Sequence, residues 1–342
     1  MGLSSRDCRV IPSALTDVIA DEARVVAKLA KELASDIAID PVQLLQRDIA
    51  LQPPTHWSPN RYCQQVETAD GWIAVNLARE DDRDAVPAWL ECDAGAEPWG
   101  SVVDVAKQRT ADELIERAIL LGMPVAAVGE TIADNALCIT AIGNPQKRLS
   151  GMTVVDLSAL WAGPLCGGLL AEAGMAVTKF EDPNRLDPTR DSTPEHHRRI
   201  NGGKRSVSIS MSDPALLDRI TNADVLITSA RPHALARLGL TSDGLFGRNP
   251  NLIWVAITAH GFSGPNAMRV GFGDDCAAAG GLVSWNDGKP SFLGDALADP
   301  LTGLRAARRV LEHVAAGQSG LIDVALAPTA SDFAQQAELR SQ

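Results

Sequence analysis

Thr153-Val154-Val155-Asp156-Leu157, followed by Pro164 to Ala173 and then Ala176 to Phe180, decides the reading of the fold. The first and third runs are short, apolar and β-branched, as in strands buried on both faces. The run between them reads as a helix. A strand, a helix and a second strand of this kind form a right-handed crossover between parallel strands. The rhythm repeats downstream. Ser206–Ser210, Asp224–Thr228, Leu252–Ile257 and Leu321–Leu326 read as strands, and Pro214–Thr221, Thr241–Phe246, Asp275–Leu282 and Thr302–Val314 as helices. The expected fold is α/β: a doubly wound, mostly parallel, Rossmann-like sheet with helices on both faces.

Upstream, the pattern differs. To about residue 50 the chain reads as helices, with Val18, Ala20, Ala23, Val26, Ala27, Ala30 and Leu33 at helical spacing. Pro53-Pro54 punctuates this lead-in. Gly71 to Val75 reads as a strand, Asp81–Leu90 and Ala111–Leu121 as helices, and Met123 to Val128 as a second strand. Thr110 gives the second helix a hydroxyl cap, and Asp112 and Glu113 an acidic first turn. The expected division is a helical lead-in with a smaller α+β domain over residues 1–145, and the α/β domain over 146–342.

The chain has 342 residues, with 31 Lys and Arg against 43 Asp and Glu, a net charge of −12. That length supports two cores. The acidic balance speaks against a nucleic-acid partner, yet leaves room for a local basic pocket around one phosphorylated cofactor. The six cysteines, Cys8, Cys63, Cys92, Cys138, Cys166 and Cys276, are scattered without a C-x-x-C pair. No metal and no disulfide framework are expected, only free thiols in a reducing cytosol. The apolar run Leu15 to Ala34 is broken by Asp17, Asp21, Glu22, Arg24 and Lys28, so a cytoplasmic protein without a membrane partner is expected.

Parallel sheets bind ligands at the carboxyl ends of their strands. The loop after Asp156, through Ser158 and Ala162-Gly163-Pro164 to Gly167-Gly168, is thus a candidate site. Its glycines lack G-x-G-x-x-G spacing, so Glu181-Asp182 after the next strand is poor evidence for a dinucleotide ribose. Lys204-Arg205, Arg231 and Arg237 stand beside strands, where charge and forked donors suit phosphate. Any one of them alone reads more readily as a solvated surface charge. His196-His197 sits in a polar run expected to be an exposed loop, and His260 and His313 have no neighbouring nucleophile. The residues alone do not rank Asp274, Asp275, Asp295 and Asp299; Asp299, before Pro300, has the place of a helix N-cap.

Taken in order, the second half resembles the family III CoA-transferases, the group of formyl-CoA transferase, carnitine CoA-transferase and the α-methylacyl-CoA racemases. Val154 to Ser158, Ala162-Gly163-Pro164, Leu169-Leu170-Ala171, Gly174 to Val177 and Lys179 to Pro183 match its opening. Asp187-Pro188-Thr189-Arg190 matches G-D-x-x-R apart from Leu186, and Asn201 to Ser206 matches N-R-G-K-R-S. Ala223 to Ile227, Arg231-Pro232 and Arg237 to Leu240 match A-D-V-L-I, R-P-G and R-L-G-L; Asn249-Pro250 and Gly261 to Pro265 follow. Gly294 to Gly303 matches the segment of the family's catalytic aspartate.

The resemblance implies that Asp299 is a nucleophile that moves CoA from an acyl-CoA to a free carboxylic acid through an aspartyl-CoA thioester. The helix start expected there would favour its ionised form. It implies a coenzyme A site at Trp161, Ala162, Ile209 to Ser212, Ser229, Ala230, Arg231, Arg237, Phe272 and Gly273, with Arg231 and Arg237 on phosphates. It implies a homodimer, or a heteromer with a homologous subunit. Three departures stand out. Asp182 falls where an Arg commonly contacts the cofactor, and His233 replaces the Gly of R-P-G. Phe272-Gly273 falls where racemases carry His-Asp, and moving a proton between two faces of a carbon needs that second group. Thr68 to Val75 resembles the family's small-domain opening but precedes the α/β half, as in a circular permutation or a half of a fused ancestor. The alternatives are a racemase or hydrolase on the same scaffold, or a non-catalytic acyl-CoA-binding subunit of a heteromeric transferase.

Overall fold

The structure, a computed structural model, describes residues 11–132, 138–141 and 143–340; the start of the lead-in, with Cys8, lies outside them. The chain opens with α1 (Ser13–Glu32) and the single turn α2 (Pro41–Leu44). A small unit follows: β1 (Cys63–Glu67), β2 (Trp72–Asn76), α3 (Glu80–Leu90), α4 (Pro98–Ala106), α5 (Ala111–Leu121) and β3 (Val125–Ala127). Its strands form an antiparallel sheet in the order β1-β2-β3, covered by α3, α4 and α5. The α5 boundaries follow from chemistry. Thr110 Oγ1 accepts from the Glu113 amide at 3.3 Å, the Glu113 carboxylate accepts from the Thr110 amide at 3.2 Å, and Gly122 ends the helix at φ +66°.

The large unit comprises β4 (Cys138–Ala141), β5 (Thr153–Asp156), α6 (Ala162–Glu172), β6 (Ala176–Glu181), α7 (Thr189–Ser192), α8 (Pro194–Asn201), β7 (Arg205–Ser208), α9 (Pro214–Thr221) and β8 (Val225–Thr228). It continues through α10 (Pro232–Arg237), α11 (Ser242–Arg248), β9 (Ile253–Thr258), α12 (Gly273–Ala279), the hairpin β10 (Val283–Asn286) and β11 (Lys289–Phe292), α13 (Ala298–Ala316), β12 (Ser319–Ala325) and α14 (Leu326–Arg340). The seven-stranded sheet has the order β4-β12-β9-β8-β5-β6-β7. Its six strands from β12 to β7 are parallel, and β4 joins β12 antiparallel at the edge. Neighbouring strand residues turn to opposite faces. Val154, Ile227, Ile253 and Val255 join the core under α6 and α13, whereas Val155, Leu226 and Trp254 join the core under α9, α10 and α11. Burial on both faces explains why these strands read as continuous apolar runs. The doubly wound α/β reading is therefore correct.

Against the division at 145/146, two pieces of the first segment lie with the large unit. The apolar face of α1 (Leu15, Val18, Ile19, Ala23, Val26, Ala30) shares the core of α6, α13 and the sheet. The β4 strand pairs with β12 from Ser319 opposite Ala141 to Ile322 opposite Cys138. The small sheet's other face meets α12: Cys63, Ala74, Ala278 and Phe292 form one apolar cluster, and the Gly129 amide donates to Ala278 O at 2.9 Å. The α12 helix is thus a shared wall between the two sheets.

Candidate active site

The sheet's topology creates a switch point between β5 and β8, since the chain winds outward through β6 and β7 and then back through β8, β9 and β12. The loops after β5 and β8 leave the sheet there and meet, with the Ala159 amide donating to Ser229 Oγ at 3.1 Å. Such crevices are where open α/β sheets take ligands. Leu160 is in the left-handed region at φ +69°, a conformation costly for a branched residue, and it turns the chain into α6. Trp161 and Ala162 are buried at the start of that helix; Ser229, Ala230, Arg231, Arg237 and Ser212 are exposed, and Ile209 is half-buried. The exposed Arg231 lies with Nη1 3.5 Å from Met268 O and close to Gly122, where a Cβ would come within 4.0 Å of it.

Several other residues singled out in the sequence have architectural roles. Lys204 does not face a ligand. Its Nζ is enclosed and donates to Asp156 Oδ2 at 2.8 Å, Pro164 O at 2.6 Å and Asn201 Oδ1 at 2.8 Å. Lys179, equally buried, donates to Ser158 O at 2.6 Å and pairs with Asp187 at 3.2 Å. Glu181 is taken by Arg190, and Asp182 accepts from the Asn184 and Met211 amides at 2.9 and 3.1 Å, so both serve turns after β6. The run 194–199 is not an exposed loop: it forms α8, and His196 is buried edge-on against Trp161 with centroids 4.7 Å apart. Its polar letters hide one buried face of a short helix.

The starts of α12 and α13 converge nearby. Asp274, Asp275 and Asp295 are buried, while Asp299 keeps a partial opening to solvent. Arg47, from the lead-in, forks onto Asp295, with Nε to Oδ2 at 2.5 Å and Nη2 to Oδ1 at 2.7 Å. Asn60 Nδ2 bridges Asp274 Oδ2 at 2.7 Å and Asp295 Oδ1 at 2.8 Å. Asp274 Oδ1 accepts from the Ala296 amide at 2.7 Å, and Asn76 donates to Asp275 Oδ1 at 3.0 Å. Gly273 must be glycine. A Cβ there would lie 2.4 Å from Asp299 Oδ2 and 2.5 Å from Ala296 O. Without it, the Gly273 amide reaches the Asp299 carboxylate. The first turns of α13 also pack against the start of α6, since a Cβ on Gly303 would lie 2.6 Å from Ala162 O.

Asp299 is not the N-cap. The α13 helix begins at Ala298 behind Leu297, which puts Asp299 in its first turn. Its expected bias toward ionisation is reversed. Burial raises its pKa to about 7; Asp274 and Asp295 push it further up, while Arg47 and the Gly273 amide pull it down. Burial likewise raises Asp274 to about 6, where Asp295 adds to it, and Asp275 to about 8. Near neutrality Asp275 therefore keeps its proton, Asp299 is divided between its two forms and Asp274 is mostly ionised; the most accessible of the three is Asp299. The sequence offered no signal for Arg47, Asn60 or Asn76, because nothing local marks a polar side chain that pairs with a residue more than a hundred positions away.

Among the described residues, His260, Asp275 and Cys276 bring one ligand-type atom each within 4.8 Å of one another. His260 thus does have a neighbouring thiol, contrary to the sequence reading. Burial lowers the His260 pKa to about 3 and raises the Cys276 thiol well above its ordinary value, so the pair is neutral and inert as a nucleophile. Asp275 is already engaged by the Phe272 amide and Asn76. Among the described residues, Cys63, Cys92, Cys166 and Cys276 are free thiols. No helix among them is long and apolar enough to cross a membrane.

This architecture defines a class: a doubly wound α/β protein whose switch-point crevice, flanked by arginines, adjoins a carboxylate cluster at two helix starts. The chain belongs to CoA-transferase family III, whose sequence profile matches residues 149–340. It is 33% identical over 212 residues to the succinate–glutarate CoA-transferase of Agrobacterium fabrum, covering 55% of this chain and 53% of that protein. It is 34% identical over 197 residues to the succinyl-CoA–L-malate CoA-transferase β subunit of Chloroflexus aurantiacus, covering 52% and 49%. The crystal structure of the Mycobacterium tuberculosis protein Rv3272 superposes with a TM-score of 0.51 at 31% identity, over 58% of this chain and 61% of that one. The chain spans about half the length of the curated relatives it matches.

Proposed function

We propose that this chain is an acyl-CoA:carboxylate CoA-transferase with Asp299 as its nucleophile, and that residues 146–342 hold coenzyme A at Trp161, Ala162, Ile209, Ser212, Ser229, Ala230, Arg231, Arg237, Phe272 and Gly273. The observation that carries the reading is the position of Asp299: partly open, met by the Gly273 amide, and one side chain (Arg47) away from Trp161 at the crevice. The ionised carboxylate attacks the thioester carbonyl and displaces CoA thiolate, leaving a mixed anhydride. The thiolate attacks the aspartyl carbonyl of that anhydride, releasing the donor acid and forming the aspartyl-CoA thioester. The acceptor carboxylate attacks this thioester to give a second anhydride and thiolate again. The thiolate then takes the acceptor's acyl group and regenerates Asp299. Each of the four steps exchanges one acyl bond for another, so a series of easier barriers replaces a harder one.

By the resemblance, Phe272 stands where a racemase carries its acid–base His, and a phenyl ring holds no proton to exchange, so the second acid–base group is missing. A reducing cytosol suits the free thiols. The second reading is a subunit that acts with a homologous partner. It is favoured by the partial span of the relatives and by the naming of two of them as α and β subunits. The test is exchange of isotope-labelled carboxylic acid into CoA thioester by the purified chain, over a panel of donors and acceptors. Exchange that disappears in Asp299→Ala is the expected result. CoA binding without exchange, restored by an added homologous subunit, would favour the second reading.

A further inference from the structure

The segment between α2 and β1 is threaded through the site and held at both ends. Asp48 accepts from the Glu195 and His196 amides at 3.0 and 2.8 Å, at the start of α8. Gln46 O accepts from Arg199 on the same helix. Between these anchors, the Arg47 guanidinium lies 5.3 Å over the Trp161 ring on one side and forks onto Asp295 on the other. Farther along, Asn60 bridges Asp295 to Asp274, and Asp274 holds the amide of Ala296. Ala296 has φ +46°, and its carbonyl accepts from the Asp299 amide at 3.0 Å. A non-glycine residue stays in that region only when its surroundings hold it there. The chain of contacts therefore runs without a gap from Trp161 in the crevice to the backbone of Asp299.

We propose that Arg47 is the positioning residue of this site: a clasp from the lead-in that ties the coenzyme loop at Trp161 to the loop that aims Asp299, and that sets a positive charge against Asp274, Asp295 and Asp299. This rests on the transferase reading above, and it extends the site into a segment outside the family's matched residues 149–340. The groups facing Asp299 are Arg47 from the lead-in, Asp274 and Cys276 from α12, Asp295 from the loop before α13, and the Gly273 amide. Among the described residues facing it, Arg47 is the only cation. Two opposite electrostatic effects follow. Removing Arg47 raises the pH at which Asp299 ionises; removing the charge of Asp295 lowers it.

The experiment is rapid-quench measurement of aspartyl-CoA formation across pH for the purified wild type, Arg47→Ala, Arg47→Lys and Asp295→Asn, with CoA affinity measured in parallel. For Arg47→Ala we expect adduct formation to slow by about 30-fold or more and its pH midpoint to move up, with CoA affinity within about threefold of wild type. Arg47→Lys keeps the charge without the fork, so its midpoint should stay near the wild-type value while the rate is only partly restored. The midpoint of Asp295→Asn should move down. A wild type that forms adduct, with Arg47 variants of unchanged rate and midpoint, overturns the clasp and leaves the transferase reading standing. Loss of rate and CoA affinity together, with no midpoint moving in either direction, also overturns it, because that is the mark of general unfolding. A wild type that forms no adduct with any donor overturns the clasp together with Asp299 as a nucleophile of the chain acting alone.

Discussion

Two buried clusters of charge lie on either side of Trp161, and they are built on opposite principles. Behind the switch point, Lys179 and Lys204 are matched by Asp187 and Asp156, and each ammonium also meets a backbone carbonyl. Burial would raise the Asp156 pKa, but Lys204 and Lys179 outweigh it and hold the carboxyl below its ordinary range. At the starts of α12 and α13, three acidic side chains, Asp274, Asp295 and Asp299, face the forked Arg47, and Asp275 lies beside them. There burial wins, and Asp274, Asp275 and Asp299 are all raised above the ordinary carboxylate range. A matched cluster stabilises one conformation and offers no reactive group. An unmatched one costs stability and leaves a carboxyl whose charge changes in the working pH range, which is how reactive groups are poised.

The comparison is broken or sharpened by experiments on both clusters. The largest effect is expected for Asp299→Asn: transfer should fall by about a thousandfold or more in a labelled-exchange assay, because the nucleophile is gone. The same change should raise the thermal midpoint at pH 8, since a desolvated charge is removed. Next is Lys204→Met, which strands Asp156 in the core. Urea unfolding should show a loss of about 3–5 kcal/mol. Asp275→Asn removes a buried acid from the unmatched cluster, and its stability should match or exceed wild type. Equal losses in these two variants would refute the contrast.

The pH dependence of stability follows from the same shifts. Asp274, Asp275 and Asp299 have folded pKa values of about 6, 8 and 7, above the ordinary value of 3.8. Between those limits the folded chain binds more protons than the unfolded chain. Their stabilising contribution is complete below pH 3.8 and is lost as pH rises through 6 to 8. Asp156 has the opposite sign: its contribution is present above its ordinary range and is lost in acid. Unfolding followed from pH 5 to 8.5 should therefore show declining stability in wild type and a flatter decline in Asp275→Asn. The smallest expected effect is that of Arg231→Ala. In the proposed site Arg231 meets a CoA phosphate, so its loss should weaken CoA binding by about tenfold, read by calorimetry, with little change in stability.

How much of this was legible in the sequence depends on the range of the interactions. The central parallel strands were legible because they are buried on both faces and are written as local apolar runs, and the exposed edge strand β7 through its alternation of polar residues with Val207 and Ile209. The edge strand β4, the hairpin β10–β11 with its exposed Trp285, and the polar helix α8 were missed, because their burial comes from distant partners or is absent. Asp299 came from the match of Gly294 to Gly303; the local helix-cap reading gave it the cap position, two residues short of its place in the helix, and gave its ionisation the wrong sign. The cap argument sees only the helix start. It does not see Asp274, Asp295 and the protein mass that desolvate the group. Arg47 was invisible for the same reason, since its partner is 248 residues away.

The most direct test of this contrast, and of Asp299 as the group it poises, is peptide mass spectrometry after brief incubation with CoA thioesters, beside Asp299→Ala. The expected result is a CoA-sized adduct on the peptide containing Asp299, released by hydroxylamine and absent from the variant. An adduct on another residue, or one that persists in Asp299→Ala, would contradict the account.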